Sequence, residues 1–314
     1  MPDVTCMGIL VADVIVRPLD EWPERGRLAL VDSIGLRSGG LAHTTGIALA
    51  KLGVETAVVG RVGTDPFGDF LIQALVDHGV RPHVVREPEA PTSTTVVAVA
   101  SGGERSFMHL IGANGRLTPL DISDDLLHAT RIFHLGGCFV LPALDGAPAA
   151  GLLRRARQQG CRTSMDLAWD PSGRWMSVLE PCLPHLDFLF GNQDELGHVT
   201  DRGDSVEIAH LLRARGVGVV AVKLGEAGAY VDGAGWRGQV PAYAVEVVDT
   251  TGAGDAFCGG FLAGALAGWE IERVTRFANA VGALCVTAVG GTAGVRSREE
   301  TLRFMDGAAV RGRA

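Results

Sequence analysis

Val247-Val248-Asp249-Thr250-Thr251-Gly252-Ala253-Gly254-Asp255-Ala256-Phe257 reads as the end of a strand, a glycine turn, and an Ala/Gly/Leu helix that begins near Ala253. Unpaired N–H groups at a helix start make an anion site, strengthened by the helix dipole. The glycines at 252 and 254 let a phosphate oxygen approach the backbone closely. Asp255 stands at the same mouth. A carboxylate there repels a bound phosphate, so it needs a reason. General-base removal of a proton from an alcohol attacking the phosphorus supplies one. Capping of the helix by Asp255 alone is the plainer alternative, and the Gly-Ala-Gly run with Asp249 beside it weighs against it.

Other glycine motifs fail on inspection. A Walker A loop needs Gly-Lys. The only two lysines, Lys51 and Lys223, follow Ala50 and Val222. A dinucleotide fingerprint needs a third Gly or Ala, where Phe257 stands. Val220-Ala221-Val222-Lys223 imitates a protein-kinase strand, but neither His-Arg-Asp nor Asp-Phe-Gly occurs.

Outward from the turn, short β-branched runs alternate with alanine- and leucine-rich ones. Strands are expected at Thr5–Val16, Thr56–Val59, Ile132–Leu135, Arg162–Asp166, Phe188–Phe190 and Val217–Lys223. Helices are expected from Gly46 to Leu52 and over Phe67–Asp77, Ala147–Gln159 and Val206–Arg215. This order predicts an α/β fold with a mostly parallel sheet covered by helices on both faces. Residues 14–37 and about 92–110 break the alternation. Thr94–Ala100 and Arg105–Leu110, joined by Ser-Gly-Gly-Glu, read as a hairpin, so these segments predict a small separate sheet.

Composition bounds the function. The 314 residues are 47% hydrophobic and 20% charged, which excludes a disordered chain. The net charge of −8 disfavours nucleic acid and anionic membrane as partners. The six cysteines show no metal-knuckle or Cys-x-x-Cys spacing. The weakly polar stretch Ala278–Gly294 falls short of a membrane span. No basic leader is visible near the first residues, and a cytoplasmic location is the expectation.

These residues together resemble the ribokinase-like (PfkB) family of carbohydrate kinases. Its Asp-Thr-x-Gly-Ala-Gly-Asp-x-Phe pattern is complete at 249–257. Similar segments follow in order over most of the chain: Gly8 with Asp13, the pair Gly39-Gly40, Gly60–Gly68, Asn192-Gln193-Asp194-Glu195, Lys223–Gly228, and Phe277–Ala280. The resemblance implies a three-layer α/β/α ribokinase-like fold in one domain over residues 1–314. Segments 14–37 and 92–110 would form a β-sheet lid that closes over the substrate.

It also implies ATP-dependent phosphorylation of a primary hydroxyl of a small sugar or sugar acid. Asp255 would be the base, and Gly252, Ala253 and Gly254 the anion hole. The nucleotide would meet Asn192, Lys223, Leu224, Gly225, Gly228 and Asn279. Asp13, Gly39, Gly40, His43, Thr44 and Arg105 would face the substrate, Arg105 as a clamp for an anionic group. Magnesium would be held through water by Asn192 and Glu195. Asn-x-x-Glu is by itself also a capping box. In many members a potassium ion sits beside the anion turn; Asp249, Thr251, Val286 and Gly291 would hold it here. A homodimer paired through the lid is implied by analogy.

The chain departs from the pattern at Thr44, where the family usually has Asn, and at Gly46, where it has a small alanine. Where ribokinases carry a Glu after the strand matching Ile132–Leu135, this chain has Gly136-Gly137-Cys138-Phe139, which disfavours ribose. Trp169, Trp175 and Trp236 are expected to pack rather than stack on ligand. A nucleoside kinase of the same fold, a non-catalytic sugar binder and a nicotinamide-binding enzyme remain as alternatives.

Overall fold

The computed structural model describes residues 1–233 and 235–311. The strands are β1 Val4–Gly8, β2 Val11–Arg17, β3 Ser33–Gly39, β4 Thr56–Gly63, β5 Arg81–Glu87, β6 Thr94–Val99, β7 Arg105–Leu110, β8 Ile132–Cys138, β9 Arg162–Leu167, β10 Phe188–Asn192, β11 Val219–Lys223, β12 Ala229–Gly233 and β13 Trp236–Val240. The helices are α1 Leu41–Lys51, α2 Pro66–Asp77, α3 Asp124–His128, α4 Ala147–Gln158, α5 Met176–Leu179, α6 Gln193–Thr200, α7 Ser205–Ala214, α8 Ala253–Leu266, α9 Ile271–Cys285 and α10 Arg298–Gly307.

Among the described residues nine strands form one sheet in the order β13-β12-β11-β10-β9-β8-β1-β4-β5. Only the pairs β11–β12 and β12–β13 are antiparallel. Alternate side chains of each strand enter opposite cores. Val4, Cys6, Val58, Phe188, Phe190, Val219 and Ala221 pack with α1, α8 and α9 on one face. Met7, Val59, Phe133, Leu189, Val220 and Val222 pack with α4, α6 and α7 on the other. Burial on both faces explains why these strands read as continuous apolar runs. The chain moves from β1 to β4 and β5 on one side, and later from β8 to β11 on the other. The switch lies between β1 and β8, the place where such sheets hold ligands beyond their carboxyl ends.

A second sheet has the order β3-β2-β6-β7, with β6 and β7 as the expected hairpin. Three expectations need correction. Thr5–Val16 is two strands in two sheets. The break comes at Gly8 (φ +151°), where a Cβ would lie 1.9 Å from the Gly136 carbonyl oxygen. Helix α1 begins at Leu41, directly after Gly40, and Gly46 is inside it. Val247 and Val248 are half exposed and belong to no strand; Val248 N–H instead donates to the Val286 carbonyl at 2.8 Å.

Candidate functional site

A cavity of about 940 Å³ opens beyond the carboxyl ends of β9, β10 and β11, which deliver Asp166, Asn192 and Lys223 to its wall. The start of α8 supplies Gly252, Ala253, Gly254 and Asp255. Gly252 is the N-cap with φ 74°, and no side chain caps the helix. A Cβ at Gly252 would meet the Gly291 carbonyl oxygen at 2.4 Å, so only glycine fits this turn. The uncapped first turn therefore faces the cavity with the Gly252, Gly254 and Asp255 N–H groups free of the described residues for an anion, while Ala253 N–H donates to the Thr250 carbonyl at 3.3 Å.

Asp255 sits at that turn. Burial raises its carboxyl to about 8; nearby Asp166 and Glu195 add to the rise, while Lys223 and a hydrogen bond from the Thr44 hydroxyl oppose it. That value matches a base required near neutral pH. Lys223 lies beneath the turn, its Nζ 3.1 Å from where a Gly254 Cβ would be. Its ammonium donates to Asp166 Oδ1 at 2.7 Å and Oδ2 at 3.0 Å. Burial opposes that charge, but Asp166 above all holds the lysine far above its usual range. Cys258 Sγ also donates to Asp166, at 3.3 Å.

Asn192 and Glu195 form the capping box of α6, with Asn192 Oδ1 accepting from Glu195 N at 2.8 Å and Glu195 Oε2 from Asn192 N at 2.9 Å. Both also line the cavity. Burial raises the Glu195 carboxyl against the pull of Lys223. Gly225 and Gly228 border the same cavity, and Leu224 closes their loop by donating to the Gly228 carbonyl at 2.8 Å. Asn279 is also on the wall, its Nδ2 fixed to the Val240 carbonyl at 2.9 Å.

Several expected contacts fall elsewhere. His43 is fully buried, its Nε2 3.1 Å from the Leu71 carbonyl oxygen. Burial drives its imidazole down to about 4. It belongs to the packing of α1 on α2 and does not face the cavity. The Thr44 side chain is likewise buried and turns to Asp255. Asp13 rests against Gly39, where a Cβ would lie 2.1 Å from its Oδ2. Burial lifts its carboxyl to about 6, against a hydrogen bond from Thr95. With Gly40 it lies at the root of the small sheet, next to Leu41, which does line the cavity.

Arg105 is not free to clamp a substrate anion: Nη1 donates to Thr251 Oγ1 at 2.8 Å and Nη2 to Asp249 Oδ1 at 2.7 Å. The expected cation ligands already hold protein donors. Asp249 Oδ1 also accepts from Thr251 N at 2.9 Å and Thr251 Oγ1 at 2.7 Å, and Oδ2 accepts from Gly290 N at 2.9 Å. The Val286 carbonyl accepts from the amides of Val248 and Asp249, and the Gly291 carbonyl from Cys285 Sγ at 3.2 Å. Protein donors thus fill Asp249 Oδ1 and the Val286 carbonyl, and take one lone pair each of Asp249 Oδ2 and the Gly291 carbonyl.

The sequence reading missed Asp166, Phe107 and Arg311 on the wall, and Trp169, which it expected to pack, also lines the cavity. Trp169 is half exposed there and meets Trp175 edge-on at 5.1 Å. Asp166 carried a signal: it is an acid within the otherwise apolar end of a buried strand, β9. Arg311 carried none, since only folding brings it to Glu226.

Comparison with known proteins shows the family and the fold. The family model described as "pfkB family carbohydrate kinase" matches residues 1–298. Fructokinase-1 of Oryza sativa subsp. japonica is 32% identical over 291 residues, 86% of this chain and 88% of that protein. The structure of Arabidopsis thaliana ribokinase complexed with ribose and ATP superposes with a TM-score of 0.83 at 26% identity, covering 97% of this chain and 98% of that one. Adenosine kinase from Sinorhizobium meliloti gives a TM-score of 0.83 at 26% identity, covering 96% and 98%.

Proposed function

The chain belongs to the pfkB family of carbohydrate kinases, and from that premise we propose that it transfers the terminal phosphoryl group of ATP to a primary hydroxyl of a small sugar. The observation that carries this reading is the uncapped start of α8 with Asp255 beside it on the cavity wall. Asp255 takes the proton of the attacking hydroxyl. The free amides of Gly252 and Gly254 hold the charge that develops on the transferring phosphoryl oxygens. Lys223 keeps positive charge under the same turn, and Asp166 fixes its position. ATP lies along the ends of β9–β11, with its base towards the Gly225–Gly228 loop and Asn279.

Glu195 keeps Oε1 free of the described residues while Oε2 holds the Asn192 amide, so the pair suits magnesium bound mainly by phosphate and water. When bound with the triphosphate, magnesium supplies positive charge at its oxygens. Among the described wall residues the cations are Lys223, paired to Asp166, and Arg311, paired to Glu226. That lining favours a neutral sugar over a sugar acid. The aromatic faces of Phe107 and Trp169 favour, as a second reading, a nucleoside acceptor; turnover of adenosine but of no sugar would select it. All six cysteines are free and buried, which suits the reducing cytoplasm. No helix among the described residues is long and apolar enough to cross a membrane.

Asp255→Asn tests the assignment. Turnover on a panel of sugars and nucleosides should fall by about 10²–10⁴ while ATP still raises the melting temperature. Unchanged turnover removes Asp255 from the chemistry.

A further inference from the structure

Asp249 is 7% exposed and stands three residues before the anion turn. A buried carboxylate beside a site for phosphate must be balanced, because its charge costs desolvation and repels the ligand. The balance comes from far along the chain. Arg105 lies on β7 of the small sheet, 144 residues before Asp249. Its two terminal nitrogens divide between the Asp249 carboxylate and the Thr251 hydroxyl. Thr251 in turn gives its amide and its hydroxyl proton to Asp249. The guanidinium therefore closes a ring of hydrogen bonds that shapes Thr251-Gly252, the entrance to the anion hole. Planar, permanently charged and able to make two directed bonds, it is better suited to this place than a lysine.

Resting on the kinase reading above, we propose that Arg105 is a positioning residue. From the small sheet it supplies the positive charge that the family resemblance assigns to a monovalent ion, so that this enzyme works without potassium. Asp249 Oδ1, the oxygen an ion would use, already holds the guanidinium and two Thr251 donors, the Val286 carbonyl holds two amides, and the charge stands on the sheet expected to cover the acceptor. Placement of that sheet and charge balance at the anion turn are thereby one event.

The test compares the full-length enzyme in potassium, sodium and tetramethylammonium chloride at equal ionic strength, by turnover and by melting temperature with ADP and magnesium present. Wild-type rates and melting temperatures are expected to be alike in all three salts. Arg105→Gln should lose about tenfold or more in kcat/KM in tetramethylammonium and recover selectively in potassium, which can enter once the guanidinium is gone. Arg105→Lys, which keeps a charge, should stay indifferent to potassium and carries the test if the glutamine variant does not fold. Potassium activation of the wild type overturns the proposal, and so does wild-type turnover of Arg105→Gln in tetramethylammonium. Absence of turnover on every acceptor counts against the kinase reading instead. In that case the melting temperatures still decide, since a wild type stabilised by potassium over tetramethylammonium overturns the proposal without any acceptor.

Discussion

Asp255 combines an ordinary carboxyl value of 3.8 with a folded value of about 8, and two measurements follow from that gap. The base must be ionised, so kcat/KM should rise about tenfold per pH unit below 8 and level off above it; in Asp255→Asn this limb should vanish. Stability carries the opposite sign. Between pH 3.8 and 8 the folded protein holds a proton that the unfolded chain has released, so Asp255 makes the fold less stable as pH rises through that window. Asp255→Asn should therefore gain on the wild type in urea midpoint from pH 5 to 8, and equal midpoints would show that the carboxyl is not raised. Asp255 was legible because the residues defining its place are its sequence neighbours. The Asp166–Lys223 pair was not: the two lie 57 residues apart and meet at the ends of strands separated by β10. His43 misled for a related reason. Adjacency to Gly39-Gly40 suggested the site, but helical geometry turns its ring towards α2 and the Leu71 carbonyl.

At the scale of elements, the start of α8 is the most constrained junction of the site. Gly252 has a left-handed backbone and no room for a Cβ against Gly291. Gly252→Ala should cost about 1–3 kcal/mol of stability from backbone strain, read by urea unfolding. It should also weaken ATP binding, because the turn must shift away from Gly291. Retention of both would show that the amides do not shape the anion site. The helix itself was legible at Ala253, since the glycine turn stops the preceding segment. The segment before the turn was not. Val247 and Val248 have strand-like side chains, yet their exposure shows that no neighbouring strand covers them. Composition reports what a residue prefers, whereas a strand also needs a partner. The same limit hid β12 and β13, whose antiparallel return to the sheet edge follows the Lys223–Gly228 loop.

At the scale of the molecule, the parallel order β8 to β11 and the separate sheet were both readable, because each changes the spacing of apolar residues along the chain. How the small sheet meets its surroundings was not. Leu28, Leu30 and Ile34 in and before β3 are 88%, 90% and 68% exposed, and Met108 and Leu110 on β7 are each half exposed. Both outer strands, β3 and β7, lie at open edges. Apolar side chains beside an unpaired strand edge favour association, in line with the homodimer through the small sheet that the family resemblance implies. Light scattering should then give twice the 32.9 kDa chain mass, and Ile34→Lys, which places charge on the edge strand, should give the single mass. Pairing would also bear on catalysis. β7 carries Arg105 to Asp249 and Phe107 to the cavity wall, so a sheet held by a partner would keep the guanidinium at the anion turn. The monomeric variant should accordingly lose kcat more than ATP affinity, because Arg105 acts on the turn that receives the phosphoryl group rather than on the nucleotide loop. A wild type that scatters as a single chain, or an Ile34→Lys monomer with full kcat, would separate the small sheet's edge from its part in the reaction.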